Sequence, residues 1–355
     1  MAPSLGERSI SGLQADRVAR IRALPTAELH LHIEGTLEPE LAFELAARNG
    51  IALPFDSLDD LRSRYEFTDL QSFLDLYYEC MAVLRTRDDF RTLGERYVQR
   101  AFEQGVRHVE IFFDAQAHTV RGVNAEDVLD GLLDALETGR QRGMSGGLIL
   151  SFLRDRPVLE AMDTLESLAH RAADLLAVGL DSAEVGYPPQ LFVPVFARAK
   201  ELGLHRVAHA GEEGPAEYVR DALDLLGAER IDHGVRSLED PELIKRLRDE
   251  RIPLTVCPFS NVRLAVVPDL TKHPILDLLA AGVLATVNSD DPAYFGGYLA
   301  DNMAGLAEAF DLGDDVLVRL ARNSVEGSFA SVERKAELHA LIDEWARGGG
   351  GELLG

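Results

Sequence analysis

Residues 28–36 read ELHLHIEGT, and this stretch decides between the two folds that the chain could adopt. ELHLHI (28–33) is typical of a short strand, and polar residues follow it at once. An open doubly wound sheet, the alternative fold, would carry a glycine-rich GxGxxG turn after its first strand, and the stretch has none. His30 and His32 lie two residues apart, so both imidazoles can face one side of the strand. The stretch therefore favours a closed barrel, in which the polar ends of the strands share one face.

The rest of the chain repeats this unit of a short apolar run followed by a helical pattern. The further strand candidates are VRHVEIFF (106–113), GGLILSFL (146–153), VGLDSAE (178–184), HRVAHA (205–210), RIDHG (230–234), IPLTVC (252–257) and VLATVNS (283–289). Alternating strands and helices predict a parallel sheet with helices outside, and eight units predict an α/β protein with a (β/α)8 TIM-type barrel. The first connection, residues 36–105, is too long for one helix. We expect extra helices there, at LEPELAFELAARNG (37–50) and DLQSFLDLYYECMAVL (69–84).

The two ends of the chain differ in composition from the rest. Residues 1–20 are polar and contain Gly and Ser, and GGGGELLG closes the chain. Between them we find no long linker, repeat or low-complexity tract. We expect flexible tails at 1–20 and 346–355 around a single (β/α)8 domain at 21–345.

A formal net charge of −24, from 60 acidic and 36 basic residues, argues against a nucleic acid as partner. Such a field repels phosphate backbones, and an uncharged or cationic small molecule fits it better. Cys80 and Cys257 lie far apart and outside any CxxC spacing, as is usual in a reducing compartment. The N-terminus lacks the pattern of a signal peptide, and no apolar run is long enough to span a membrane. We expect a cytoplasmic protein without a membrane partner, and the sequence leaves its oligomeric state open.

Histidine and aspartate residues gather at the predicted ends of the strands. They are His30, His32, His209, His233, Asp290 and Asp291. An HxH pair alone is more often structural than metal-binding, but here further histidines and carboxylates end later strands of one barrel. Three neutral imidazoles and one carboxylate suit Zn²⁺, with Fe²⁺, Mn²⁺ or Co²⁺ as alternatives. The segment VGLDSAEVGYPP (178–189) holds no lysine to bridge two ions, which favours one metal ion.

Glu212 lies three residues after His209, in HAGE. A carboxyl group in a dry pocket has a raised pKa and can act as a general acid near neutral pH. The competing interpretation is a glutamate that stabilises the start of a helix, which Pro215 would open. We assign that structural role to Glu213 and the catalytic role to Glu212.

Together these motifs resemble the adenosine/adenine deaminase family of the metal-dependent amidohydrolases. The resemblance covers nearly all of residues 24–330 and rests on HLHIEGTLEPEL, HAGEEGPAEYVRDALDLLGAERIDHGVR, VCPFSNVRL and VNSDDPAYFGGY. It implies one divalent metal ion, held by His30, His32, His209 and Asp290. It also implies hydrolytic deamination of a 6-aminopurine, with a role in purine salvage.

The resemblance further implies the catalytic roles of three residues. Glu212 would protonate the purine ring nitrogen next to the reacting carbon. His233 would orient the water that the metal activates and help to deprotonate it. Asp291 would hold that water and form a hydrogen bond with the five-membered ring of the purine.

The identity of the purine is less clear from the motifs. Adenosine deaminases usually have a glycine after the fourth strand, where this chain has Asp181-Ser182-Ala183-Glu184, a pattern that looks like the adenine deaminase subgroup. The resemblance implies adenine as substrate, with adenosine or an N6-substituted adenine as alternatives. Our hypothesis is that Glu34 and Glu184 crowd or cap the N9 side of the purine and so favour a free base over a nucleoside. Ser182 is a further candidate for substrate binding. The alternative for Glu184 is an ion pair with a neighbouring arginine.

Phe73 and Leu74, in the helix at 69–84, are candidates for an apolar lid over the substrate, against the alternative of ordinary core packing. Two other functions are compatible with parts of the sequence. Deaminases of the cytidine type pair HxE with PCxxC; His32-Ile33-Glu34 matches the first half and the second is absent. A catalytically inactive barrel that acts as a binding protein is disfavoured, because all the candidate metal ligands and catalytic residues are present in the sequence.

Overall fold

The computed structural model describes residues 12–349 and contains one sheet of eight parallel strands in sequence order. The strands are β1 (Thr26–His32), β2 (Val106–Phe113), β3 (Ser145–Leu153), β4 (Ala177–Asp181), β5 (His205–Ala210), β6 (Arg230–His233), β7 (Pro253–Val256) and β8 (Leu284–Val287). Each strand pairs in parallel with the next one in the chain. An open doubly wound sheet would reverse its strand order part-way. The (β/α)8 barrel is therefore confirmed, and the open-sheet alternative is wrong.

The ring closes through the segment that follows β8. The amide of Asp290 donates to the carbonyl of His30, and the amide of His32 donates to the carbonyl of Asp290, both at 3.1 Å. One residue further back, the Leu29 amide donates to the Asn288 side chain at 2.9 Å. The backbone of Asp290 is thus hydrogen-bonded beside the two histidines of β1.

Extra helices occupy the long connection from β1 to β2, as predicted. After α1 (Ala15–Arg22), which precedes the barrel, they are α2 (Pro39–Asn49), α3 (Leu58–Ser63), α4 (Leu70–Met81) and α5 (Arg87–Glu103). Local sequence sets their ends. Proline opens α2, and Gly50 closes it in the left-handed conformation with a φ of 63°. The side chain of Asp69 caps α4 by accepting from the Ser72 amide.

The remaining helices cover the outside of the barrel and its two ends. They are α6 (Ala115–Thr119), α7 (Ala125–Gln141), α8 (Val158–Leu168), α9 (Val193–Glu201), α10 (Ala216–Asp221), α11 (Pro241–Asp249), α12 (Pro258–Arg263), α13 (Ile275–Ala280), α14 (Pro292–Phe295), α15 (Leu299–Phe310), α16 (Asp314–Glu326) and α17 (Val332–Glu344). No helix within residues 12–349 has the length and hydropathy to cross a membrane.

Five predicted strands end earlier than expected, and three of these ends lie at or shortly before a residue with a positive φ. The fourth strand stops at Asp181, because Ser182 has a φ of 69°, and β6 stops at His233, with a φ of 61°. The last strand stops at Val287, ahead of Asp290 with a φ of 62°. Left-handed backbone is incompatible with a strand and is rare for residues other than glycine. The chain leaves strand geometry where the polar side chains begin.

Part of the predicted N-terminal tail is helical. Residues 15–20 fall in the expected tail at 1–20, yet they form most of α1. Arg17 and Arg20 form ion pairs with Asp314, and the Arg20 guanidinium lies 4.0 Å above the ring of Trp345. These contacts hold residues 15–20 against the rest of the protein, although their composition alone predicts a flexible tail. Of the predicted tails, residues 1–11 and 350–355 lie outside the described residues.

A buried ion pair crosses the barrel interior. Arg230 at the start of β6 pairs with Glu110 of β2, and both side chains are fully buried. A ring nitrogen of His108 lies 3.1 Å from the same carboxylate. Burial alone would raise the pKa of Glu110, but the charge of Arg230 and the contact with His108 outweigh it and lower the pKa to about 2.

Replacing Glu110 by glutamine should destabilise the fold strongly. The substitution keeps the side-chain volume but leaves the buried Arg230 guanidinium with only Asp232, at 3.8 Å, as a counter-charge. Removing one partner of a buried ion pair costs about 3–5 kcal/mol, which urea unfolding at neutral pH will measure. Glu137→Gln is the matched control, because Glu137 pairs with Arg140 on the surface. There we expect a change within about 0.5 kcal/mol.

The difference in the free energy of unfolding between the wild type and Glu110→Gln should also depend on pH. The folded-state pKa of Glu110 is lower than its usual 4.5, so its ionised form stabilises the fold above that pH. This contribution is lost as the pH falls toward the folded-state value. The difference should therefore narrow from about pH 5 to about pH 3. A difference that does not change over this range would contradict the ion pair.

Candidate active site

Five side chains converge at the carboxyl ends of the strands, inside one mouth of the barrel. His30 and His32 end β1, His209 lies on β5, His233 is the last residue of β6, and Asp290 follows β8. All five are buried. The carboxyl ends of the strands form one face of a (β/α)8 barrel, so five distant sequence positions share this space.

Four of these side chains have the spacing of a metal site. Ligand atoms of His30, His32, His209 and Asp290 all lie within 4.8 Å of one another. The Nε2 atoms of His32 and His209 are 3.2 Å apart, and Oδ1 of Asp290 lies 3.4 Å from Nε2 of His30 and 3.5 Å from that of His32. Ligand atoms of a tetrahedral zinc ion at 2.0–2.1 Å are separated by about 3.3–3.4 Å. Nε2 of His30 is buried and has no hydrogen-bond partner among the described residues. This donor set fits one divalent ion.

A second layer orients two of these histidines. Nδ1 of His30 lies 3.0 Å from Oγ1 of Thr255, which in turn donates to Oδ1 of Asp232 at 2.8 Å. The other oxygen of Asp232 lies 3.4 Å from Nδ1 of His209. Contacts at Nδ1 leave Nε2 of each imidazole to face the cluster. Asp232 was not predicted from the sequence. The available signal was a carboxylate inside a short apolar strand, since a buried charge requires partners.

Glu212 and His233 lie beside the cluster. Oε2 of Glu212 is 3.5 Å from Nε2 of His233, which is 3.7 Å from Oδ2 of Asp290. Burial, reinforced by the charges of Asp290 and Glu184, raises the pKa of Glu212 well above its usual value. A carboxyl group in such surroundings holds a proton near neutral pH and can donate it.

Asp291 also faces the site, and its position depends on Gly35. A Cβ atom added at Gly35 would lie 2.0 Å from Oδ1 of Asp291 and 2.6 Å from its Cα. No other residue type fits there, because a contact under 3.0 Å forces the backbone of Asp291 to move. Oδ1 of Asp291 is buried and has no hydrogen-bond partner in the described chain. The glycine of IEGT thus lets Asp291 approach the end of β1.

Glu34 is close to the site but does not face the cavity. Its carboxylate accepts from the amide of Asp114 at 3.1 Å and lies 2.8 Å from Nε2 of His118. The side chain is fully buried and is not among the residues that line the cavity. The structure therefore places Glu34 behind the wall, where it holds the start of α6, and not on the N9 side of a bound purine as hypothesised.

Glu184 anchors the segment that carries Glu212. Its carboxylate accepts from the amides of residues 211, 212, 213 and 214, at 2.7, 3.1, 3.0 and 2.8 Å. It too is absent from the cavity lining. Within residues 12–349, Glu184 neither lines the cavity nor forms an ion pair with an arginine. It holds the turn between His209 and α10.

The cavity in front of the cluster measures about 450 Å³, part of it open to solvent. Its apolar wall comes mainly from α4, with Leu70, Phe73, Leu74, Tyr77 and Tyr78, and is completed by Leu153, Leu264 and Phe295. Phe73 and Leu74 therefore lie where a lid would contact a ligand. Ser182 lines the same cavity, as do Asp114 and Asp181, two carboxyl groups that were not predicted as site residues.

A family model described as Adenosine deaminase matches residues 25–345 of the chain, which include every residue of the cluster. This chain belongs to the adenosine deaminase family. The resemblance predicted from the motifs is confirmed, and with it a metal-dependent hydrolase fold.

Relatives within the adenosine deaminase family are highly similar to this chain. An adenine deaminase of Streptomyces coelicolor is 58% identical over 318 residues, covering 89% of this chain and 93% of the relative. The crystal structure of an adenine deaminase from Arthrobacter aurescens has a TM-score of 0.90 at 53% identity, covering 91% and 99% of the two chains. A Burkholderia ambifaria amidohydrolase with bound Zn has a TM-score of 0.85 at 27% identity, covering 94% and 96%.

Replacing Glu184 by alanine should destabilise the chain through the turn that it anchors. Four amides would lose their acceptor, and each buried donor left unpaired costs about 1–3 kcal/mol. We expect urea unfolding to show a loss of at least about 3 kcal/mol. Glu217→Ala, which removes an exposed carboxylate nearby on α10, should change stability by no more than about 0.5 kcal/mol. Equal losses in the two variants would contradict the anchoring role.

Proposed function

We propose that this chain catalyses the hydrolytic deamination of adenine to hypoxanthine and ammonia. The observation that carries the proposal is the buried cluster of three histidines and an aspartate at the base of a cavity of about 450 Å³, with a carboxyl group of raised pKa beside it. The high identity to adenine deaminases over most of the chain supports adenine as the substrate.

In this proposal His30, His32, His209 and Asp290 hold one divalent ion, with Zn²⁺ as the ion. The bound ion in a related amidohydrolase supports zinc, and the donor set of imidazoles and one carboxylate suits it. When bound, a zinc ion lowers the pKa of a coordinated water to about 7 and so supplies a nucleophile at neutral pH.

The protein side chains move the protons. Protonated Glu212 donates to N1 of the purine, which makes C6 electrophilic as water adds to it. His233, 3.5 Å from Glu212, accepts a proton from the attacking water. Asp291 orients that water and contacts the five-membered ring. Transfer of a proton to the exocyclic nitrogen then breaks the C6–N bond and releases ammonia.

The cavity argues against a nucleotide as substrate. No lysine or arginine is among the residues that line it, whereas four aspartates and Glu212 are. A phosphate group would enter without a counter-charge and beside several carboxyl groups, which is costly in a buried site. The proposed substrate is therefore an uncharged small molecule. We further propose a cytoplasmic enzyme of purine salvage; Cys80 and Cys257 are buried and free, as is usual in a reducing compartment.

An ammonia-release assay on the metal-loaded protein tests the reaction directly. Adenine, adenosine and N6-methyladenine form the panel, and the highest kcat/KM is expected for adenine. Loss of ammonia release after treatment with a chelator, and its recovery with Zn²⁺, is expected as well. Metal-loaded protein that deaminates none of the three would favour the binding-protein alternative.

Replacing Glu212 by glutamine should lower turnover while leaving the metal in place. Glutamine keeps the shape of the side chain but cannot donate a carboxyl proton. General acid catalysis of this kind contributes about 10²–10⁴-fold to kcat. We expect a fall within that range for adenine, with unchanged metal content by elemental analysis. Glu213→Gln is the neighbouring control and should keep nearly full activity.

Replacing Asp232 by asparagine should weaken metal binding. Asp232 contacts Thr255 and His209 behind the cluster. Loss of such a second layer typically costs about 10–100-fold in metal affinity. Competition with a chelator whose affinity is known measures it. Asp224→Asn on the surface is the control, and equal affinities in both variants would contradict the role of Asp232.

A further inference from the structure

Two carboxyl groups in the cavity have no part in the proposed proton transfers. Asp114 follows β2 directly, and Asp181 is the last residue of β4. Both side chains are at least 97% buried, with exposed fractions of 3% and 2%. Their positions are well defined, because Glu34 holds the amide of Asp114, and the amide of Arg154 donates to the carbonyl of Asp181 at 3.1 Å.

These carboxyl groups present oxygens that the described protein does not satisfy. Within residues 12–349, Oδ1 of Asp114 and both carboxyl oxygens of Asp181 are buried without a well-formed hydrogen bond, and the polar groups that act on them most closely are each other and the Ser151 hydroxyl. One oxygen of each lies within 4.8 Å of the other and of a ring nitrogen of His32. Leaving buried polar atoms unpaired is costly, so their presence in a cavity wall indicates a ligand that supplies hydrogen-bond donors.

The pair lies on the far side of His32 from the metal cluster. Nε2 of His32 faces His209 and Asp290, whereas its Nδ1 lies 3.5 Å from Oδ2 of Asp181. A purine whose C6 and N1 face the cluster and Glu212 turns its opposite edge away from them. That edge carries N3 and N9. If Asp291 contacts the remaining part of the ring, as in the proposed function, the N3/N9 edge would face Asp114 and Asp181, which line the same cavity.

We propose that Asp114 and Asp181 bind the N9–H group of the free base and thereby exclude nucleosides. The inference rests on the proposed function and specifies its substrate class. Free adenine donates N9–H to an acceptor, whereas a nucleoside carries a sugar carbon at N9 and leaves the buried oxygens unpaired. A site built to hydrogen-bond a substrate N–H rejects analogues without it by about 10⁴–10⁵-fold. Glu34 and Glu184, by contrast, act on the backbone behind this wall.

Binding of the product and its N9-methyl analogue tests the proposal without relying on turnover. Hypoxanthine retains N9–H and 9-methylhypoxanthine lacks it. Calorimetry on the metal-loaded wild type should show that hypoxanthine binds at least about 100-fold more tightly than 9-methylhypoxanthine. This value is a lower bound on the discrimination expected for such a site. Asp114→Ala should bind hypoxanthine at least about tenfold more weakly and discriminate the two ligands at least about tenfold less. Asp114→Asn retains one carbonyl acceptor. It should therefore recover part of the affinity for hypoxanthine and part of the discrimination between the two ligands.

Turnover supplies the second measurement. The ratio of kcat/KM for adenine to that for 9-methyladenine should fall at least about tenfold in Asp114→Ala and in Asp181→Ala. Leu74→Ala, which changes the apolar wall, should affect both substrates alike. Thermal unfolding shows whether each variant still folds. Metal content shows whether His32, which Asp181 contacts, can still bind the metal ion. Failure of wild type to deaminate adenine would remove the proposed function, while the binding ratios would still test the pair.

Two results would overturn the inference. The first is that folded Asp114→Ala and Asp181→Ala keep the wild-type ratios. These are the ratio of affinities for hypoxanthine and 9-methylhypoxanthine and the ratio of kcat/KM for adenine and 9-methyladenine. The second is a metal content of two ions per wild-type chain that falls to one in the variants. It would show that His32, Asp114 and Asp181 hold a second cation instead of a base edge.

Discussion

The closure of the barrel is the interaction on which the site depends. Two backbone hydrogen bonds join Asp290 to His30 and His32 at 3.1 Å, where β8 would otherwise leave β1 unpaired. The same bonds that complete the ring therefore place an aspartate against an HxH pair. Because backbone geometry sets this distance, the three side chains reach one another without a flexible loop. His209 and His233 join them from β5 and β6, across the interior of a closed ring of parallel strands.

Buried carboxylates do most of the positioning around that closure. Asp232 orients two histidines, Glu184 holds the turn that carries Glu212, and Glu34 holds the amide of Asp114. Each has found hydrogen-bond donors or a cation, as a buried charge must. Asp114, Asp181 and Asp291 are different, because they line the cavity and also keep oxygens without a partner among the described residues. Carboxylates behind the cavity wall thus build the frame, and those in the wall face the cavity.

The strand ends show why the sequence predicts that the candidate metal ligands come together. His30, His32, His209 and Asp290 come where an apolar run stops, and parallel strands bring such positions to one face whatever their distance in the chain. Glu34 and Glu184 met the same criterion and were expected at the substrate. Their side chains turn away and bind backbone amides. Which way a carboxylate points after a strand depends on neighbouring loops, and these come from distant parts of the chain.

The sequence by itself determined the alternation of strands and helices, the family and the residues at the barrel mouth. Periodicity and local motifs encode these features, because they depend on neighbours along the chain. Only the tertiary structure decided how buried polar groups are paired. It assigned Asp232 to His209 and Thr255, Glu184 to the turn at 211–214, and left Asp114 and Asp181 open to the cavity. Pairing depends on which strands and loops become neighbours in space, and no local pattern in the chain specifies that.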